Sequence, residues 1–316
     1  MKDPIIQIRD LSKCYGSFKA VEGLNLDVFK GEIFGLLGPN GAGKTTTILM
    51  MLGLTEPSGG SVHVCGYQST NNPIPVKKKV GYMPDNLGFY DQMTALDNLM
   101  YIARLNGLDE KEGQQRALEM LETVGLTADR DKKTGTYSRG MKQRLGLAEV
   151  LIKRPEVIIL DEPTLGIDPT GVKDFLSLIR SLSREQGITV LLSSHHLHHV
   201  QQICDRVGIF VKGKLLAQGN IDSLSTVLFG HEGYVTSIRV AQEITQPWPL
   251  EAEIKQWTAV NKISIHEKEI EFTCSEDLTP DLVRFFVKEG YDVLNVHQKD
   301  YGLDEIYHKY FEAEQR

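Results

Sequence analysis

The stretch Ile33-Phe34-Gly35-Leu36-Leu37-Gly38-Pro39-Asn40-Gly41-Ala42-Gly43-Lys44-Thr45 decides the fold. Its first five residues read as a short buried strand, the next eight match G-x-x-x-x-G-K-[ST], and Thr46-Thr47-Ile48-Leu49-Met50-Met51 continues as a helix. Average residue frequencies put a chance match in a chain this long at roughly one in a hundred, before the flanking strand and helix are required. The glycines let backbone N–H groups wrap phosphate oxygens, and the helix N-terminus adds its partial positive charge. Lys44 is then expected to bridge the β- and γ-phosphates of a nucleotide, and Thr45 to place its hydroxyl on Mg²⁺.

A phosphate cradle alone hydrolyses nothing, so an acidic pair is expected at the end of another buried strand, where ligands of open α/β sheets gather. Val157-Ile158-Ile159-Leu160-Asp161-Glu162 supplies it. Asp161 would orient Mg²⁺ through water, and Glu162, turned differently, could polarise the attacking water. The same residues would also suit a strand that ends in solvated acids. Another helix start is written at Tyr137-Ser138-Arg139-Gly140-Met141, where Ser138 is a good cap and the pattern stays helical as far as Pro155. Its N–H groups could meet a further phosphate, although capped helices are common and the segment says little alone.

From Ile5 to about Ser223, short β-branched runs alternate with longer amphipathic stretches, which predicts an α/β domain with a largely parallel buried sheet. The expected strands are Ile33–Leu37, Val157–Leu160, Thr189–Ser193 and Val207–Val211. Ile5–Ile8, Leu24–Val28 and Ser61–Val64 alternate more and predict an antiparallel edge sheet. Between about Leu96 and Arg154 the period is helical, as for a helical insertion.

At 316 residues the chain is long enough for two domains, and 41% hydrophobic with 24% charged residues is ordinary globular usage. Lys and Arg total 35 against 42 for Asp and Glu, a net charge of −7, so no nucleic-acid partner is expected. Cys14, Cys65, Cys204 and Cys274 are scattered, which fits reduced thiols better than a disulfide framework or a zinc site. The opening MKDPIIQIRD carries charge where a signal peptide needs an apolar stretch, and no run reaches the roughly 18 to 20 apolar residues of a membrane span. Any membrane role is expected to be peripheral.

After Leu228 the Gly-containing stretch FGHEGY reads as a linker, giving a nucleotide-binding domain over 1–228, a linker over 229–234 and an accessory α+β domain over 235–316. In the last, strand Val235–Val240, helix Leu250–Trp257, strands Lys262–His266 and Glu269–Cys274, helix Pro280–Lys288, strand Asp292–Val296 and helix Leu303–Phe311 are expected. That is a ferredoxin-like β-α-β-β-α-β order plus a final helix. Tyr307, Tyr310 and Phe311 on the last helix could dock it elsewhere, with core packing the simpler use.

Together these stretches resemble the ATP-binding-cassette ATPases over about Ile5 to Ser223. GPNGAGKTT at Gly38–Thr46 looks like the Walker A loop, VIILDEPT at Val157–Thr164 like Walker B, and Tyr137–Met141 like the signature motif. Gly166-Ile167-Asp168-Pro169 is similar to the D-loop and Ser194-His195 to the switch histidine, while Arg206 to Gly213 with Gly219 looks like the closing segment. The resemblance implies an ABC cassette of the P-loop NTPase type: a mixed-sheet core, an antiparallel β subdomain and a helical subdomain. It implies an ATPase that uses ATP and Mg²⁺. Gly38, Pro39, Asn40, Gly41, Ala42, Gly43, Lys44, Thr45 and Thr46 would hold the phosphates, Thr45, Asp161 and Asp85 the metal, and Tyr15 would stack on adenine. Glu162, His195 and Lys44 would be the catalytic groups.

In that family two cassettes face each other head to tail. Ser138 and Gly140 would therefore reach the γ-phosphate bound by a second copy, Asp168 of the D-loop-like stretch would be among the nucleotide-binding residues, and His195 would contact the phosphate of its own chain. Two departures stand out. The signature reads Tyr-Ser-Arg-Gly-Met where Leu-Ser-Gly-Gly-Gln is common, and Gly81-Tyr82-Met83-Pro84-Asp85 places Asp85 where a glutamine is usual. Both look like the branch that powers ABC-2-type exporters, including multidrug-type and copper-associated nitrous-oxide-reductase maturation cassettes. A separate integral membrane permease and a peripheral place on the cytoplasmic face of the membrane are then expected. Asn86 to Leu105, rich in aromatics and methionine, suits a docking surface for the permease, or Phe89, Tyr90, Met93 and Met100 simply fill the helical subdomain. The histidines of His195-His196-Leu197-His198-His199 have metal-like spacing but no third ligand nearby in sequence, so a metal site is not expected there. The alternative is a non-transport or regulatory cassette whose tail binds a partner or ligand. Against ribosome- or chromosome-associated forms stand the single cassette and the short separation of Walker A from Walker B.

Overall fold

The computed structural model describes residues 3–229, 234–243 and 257–299, together with 303, 305–307 and 309. The chain divides into two compact units, Met1–Ile221 and Asp222–Arg316.

In the first unit, β3 (Ile33–Leu37) is buried along its whole length, as its unbroken apolar run requires of a strand covered on both faces. It sits between β8 (Thr189–Ser194) and β9 (Arg206–Val211), pairing parallel with both. β7 (Val157–Asp161) and β6 (Val80–Met83) extend the parallel sheet on one side, and β10 (Lys214–Gly219) closes the other edge antiparallel. A second, antiparallel sheet carries β1 (Pro4–Tyr15), β2 (Phe18–Phe29), β4 (Gly59–Val64) and β5 (Tyr67–Gln68) in the order β2-β1-β4-β5. Ile48, Met50 and Met51 of α1 (Lys44–Met51) share one apolar core with Ile6, Leu26 and Val64 of that sheet and Phe34 and Ile159 of the main one. The phosphate loop is thus the entry to a helix clamped between two sheets.

Several elements were not expected from the pattern, among them α2 (Pro73–Lys79) and β6. β6 has four residues, one of them glycine, and too little apolar sequence to announce itself. Gly81 is needed for packing: a Cβ there would lie 2.9 Å from the Val150 carbonyl oxygen. The helical stretch is as read, with α3 (Ala95–Leu105), α4 (Glu110–Thr123) and α5 (Arg139–Leu151). Thr94 and Asp97 form a capping box that starts α3. α6 (Pro169–Gln186) and α7 (Leu197–Ile203) follow β7 and β8. Among the described residues no helix is long and apolar enough to cross a membrane.

The second unit opens with α8 (Ile221–Phe229), which the sequence reading placed at the end of the first domain. β11 (Tyr234–Val240), β12 (Val260–His266), β13 (Glu269–Cys274) and β14 (Val293–Gln298) form an antiparallel sheet in the order β12-β13-β11-β14. The first strand lies between the third and the fourth, the order of a split βαβ, ferredoxin-like sheet. α9 (Thr279–Lys288) lays Leu282, Phe285 and Phe286 on Ile238, Val240, Ile270 and Phe272. Residues 230–233 of the expected linker and 250–256 of the expected helix Leu250–Trp257 lie outside the described residues, as do 304, 308, 310 and 311 of the final helix, with Tyr310 and Phe311. Leu303 and Ile306 of that helix are buried.

Candidate active site

β3 ends at Leu37 and the chain turns through Gly38–Gly43 into α1. Two glycines are obligatory there. A Cβ on Gly38 would sit 2.1 Å from the Phe210 carbonyl oxygen, and Gly43, at φ +104°, would place one 2.3 Å from the Ala20 carbonyl oxygen. α1 has no side-chain cap at its N-terminus, so its first N–H groups face the loop.

The chemistry gathers beside this loop, in a cleft of about 300 Å³ lined by residues of 40–46, Asp85, Asp161, Glu162, Phe18 and Ala20. Thr45 Oγ1 donates to Asp161 Oδ2 at 2.8 Å, and Ser193 Oγ donates to Asp161 Oδ1. Asp161 is buried at the end of β7, between the strands that carry Tyr82 and Ser193. Burial, then the charges of Asp161 and Asp85, pushes the Tyr82 phenol up to about 12. A hydroxyl and a carboxylate at hydrogen-bond distance, with a second carboxylate lining the same cleft, is a donor set that suits Mg²⁺, which binds one or two carboxylates and completes its shell with water and phosphate.

Glu162 is held from several sides. Its backbone N–H donates to Ser193 O and Oγ, each at 3.2 Å, and its φ of +48° is unusual for a residue with a Cβ. Its Oε2 accepts from His195 N at 3.4 Å and lies 2.9 Å from His195 Nδ1. Oε1 is buried without a hydrogen-bond partner, and the Lys44 ammonium lies 3.3 Å from it. Lys44 Nζ itself donates to Gly38 O at 2.7 Å and Pro39 O at 3.2 Å. One carboxylate oxygen is therefore fixed while the other faces the phosphate loop.

Other expected site residues stand apart. Tyr15 is half exposed at the β1–β2 turn, with Lys13 Nζ 5.0 Å from its ring centre, and it does not line the cleft. Phe18, which pairs with Tyr15 across that turn, does line it. Sequence reasoning missed Phe18, and only its place three residues after Tyr15 could have drawn attention to it. Ser138 caps α5, accepting from Met141 N at 3.3 Å, and Asp168 caps α6, accepting from Gly171 N at 3.0 Å. They share a second locus, off the cleft: the Arg139 guanidinium covers Gly166, and Gly140 faces Ile167. The imidazoles of His195 and His199 both lie tilted against that of His196, and among the described residues no group of three or more His, Cys, Asp or Glu is placed to hold an ion.

A family model described as ABC transporter matches residues 21–165. The bacitracin transport ATP-binding protein BcrA of Bacillus licheniformis is 45% identical over 220 residues, 70% of this chain and 71% of that protein. The linearmycin resistance ATP-binding protein LnrL of Bacillus subtilis is 34% identical over 307 residues, 96% of this chain and 97% of that protein. The chain belongs to the ABC transporter ATP-binding proteins. Among solved structures, cbiO1 from Clostridium perfringens, described as part of the ABC transporter complex cbiONQ, matches with a TM-score of 0.64 at 30% identity over 69% of this chain and 89% of that one. The cassette is an ATPase whose substrate is ATP and whose metal is Mg²⁺. The LnrL match, over 96% of this chain, takes in most of the second unit as well as the first.

Proposed function

We propose that this cassette powers the export of an antimicrobial compound through a separate ABC-2-type membrane permease, and that Glu162 is the general base for ATP hydrolysis. The observation that carries the catalytic reading is the asymmetry of the Glu162 carboxylate, with Oε2 held by His195 and Oε1 buried without a hydrogen-bond partner beside the phosphate loop. Oε1 takes a proton as water attacks the γ-phosphorus, and the bond to the bridging oxygen breaks to leave ADP and phosphate. Lys44 and the α1 N–H groups would hold the phosphates, and Thr45 and Asp161, with Asp85, would hold Mg²⁺, which when bound would supply positive charge at the phosphates.

Ser138, Gly140 and Asp168 lie off this cleft, which suits service to the nucleotide of a second copy in a head-to-tail dimer. The names of the relatives, one a transport and one a resistance protein, support export. The proposed permease face is the surface around Tyr90, Tyr101 and Leu105, where the two tyrosine rings meet edge to face at 5.2 Å and all three side chains are exposed. A cassette docked there is peripheral, on the cytoplasmic side of the membrane. Co-purification of the cassette with the neighbouring gene's membrane protein tests this: Tyr90→Ser with Leu105→Ser should release the cassette while leaving its ATPase rate in solution intact, and undiminished association removes the docking face.

A further inference from the structure

The loop that carries Glu162 is tied at two places to the segment that leaves β8 and enters α7. His195, just after β8, reaches the Glu162 carboxylate. Four residues later His199, in the first turn of α7, places Nδ1 3.1 Å from Thr164 Oγ1. Thr164 is buried and lies two residues beyond Glu162, inside the turn in which Leu165 N–H donates to Glu162 O at 3.1 Å and Ile167 N–H to Thr164 O at 3.3 Å. α7 itself is a firm support, because Val200 and Ile203 are buried.

Glu162 needs such support. Its left-handed φ persists only where the surroundings over-determine it, and relaxing the turn would swing Oε1 away from the phosphate loop. We infer that His199 is a positioning residue for Glu162, acting through its hydrogen bond to Thr164. The inference rests on Glu162 being the base. Burial, followed by the neighbouring imidazoles of His196, His198 and His195, holds the His199 pKa below its ordinary value, which keeps the ring neutral and able to exchange one hydrogen bond with a hydroxyl. The hydroxyl of Thr164 has no comparable role in a loop that merely connects β7 to α6.

The test is steady-state ATP hydrolysis by the full chain with Mg²⁺, together with the affinity for a non-hydrolysable ATP analogue. His199→Ala and Thr164→Val should each lower kcat about ten- to a hundredfold, the cost of a small misplacement of a catalytic group, with KM and analogue affinity within about twofold. The double variant should lose no more than either single one, and His199→Asn, whose amide can stand near Nδ1, should recover most of the rate. In a Glu162→Gln background His199→Ala should cost nothing further. Wild-type kcat in Thr164→Val, or losses that multiply in the double variant, overturns the inference while leaving Glu162 as base untouched. Normal turnover by Glu162→Gln would instead remove the base itself. If His199→Ala does not fold, Thr164→Val and His199→Asn decide the matter.

Discussion

Lys44 and Glu162 oppose each other at 3.3 Å in a site where both side chains are largely buried, so each is sensitive to the loss of the other. Glu162→Gln keeps the volume and the contact to His195 while removing the proposed base; hydrolysis should fall about 10²- to 10⁴-fold with ATP still bound, measured by phosphate release against equilibrium nucleotide binding. Lys44→Ala should instead weaken ATP binding. A second residue-scale effect concerns pH. Burial raises the Glu149 carboxyl above its ordinary range, so between the unfolded and folded values the folded chain binds more protons than the unfolded one. Stability from this group is therefore greatest at the acid end of that window and falls as pH rises through it. Glu149→Gln should melt higher than the parent above the window and show a flatter dependence across it; parallel melting curves at all pH values would remove the assignment.

At the scale of elements, the strand–loop–helix unit of β3 and α1 works because its turn has no side chains in the way. Gly43→Ala would combine a disfavoured φ with a clash against the Ala20 carbonyl, so a cost of about 1–3 kcal/mol and loss of nucleotide binding are expected, read by denaturant unfolding and by titration with ATP. This unit was legible because a five-residue apolar strand and a glycine motif stand side by side in Ile33–Thr45. β6 was not legible, since Val80-Gly81-Tyr82-Met83 has no period of its own and becomes a strand by pairing with Val157–Leu160. Tyr15 and Phe18 show the same limit at a site. Both are aromatic and lie on one hairpin, and the backbone geometry of the β1–β2 turn, not their residue type, puts Phe18 in the cleft.

In the whole molecule each of the two units has a core of its own, that of the second built on Phe272, Phe285 and Phe286 under the inner face of the sheet. Phe286→Ala should cost that unit about 3–5 kcal/mol and move a C-terminal calorimetric transition, while the transition linked to ATP binding stays in place. A single shifted transition for the whole chain would contradict separate cooperativity. By itself the sequence determined the class of fold, the phosphate loop and the acidic pair, because these depend on local runs: a buried strand, glycines at set spacing and two adjacent carboxyl groups. It also set the strand pattern of the second unit through alternation in Glu269–Cys274 and its partners. Tertiary structure alone decided which oxygen of Glu162 is free, that Lys44 faces it, and that His199 braces Thr164. Those contacts join residues more than thirty positions apart, and only the parallel pairing of β3, β7 and β8 brings their ends to one edge.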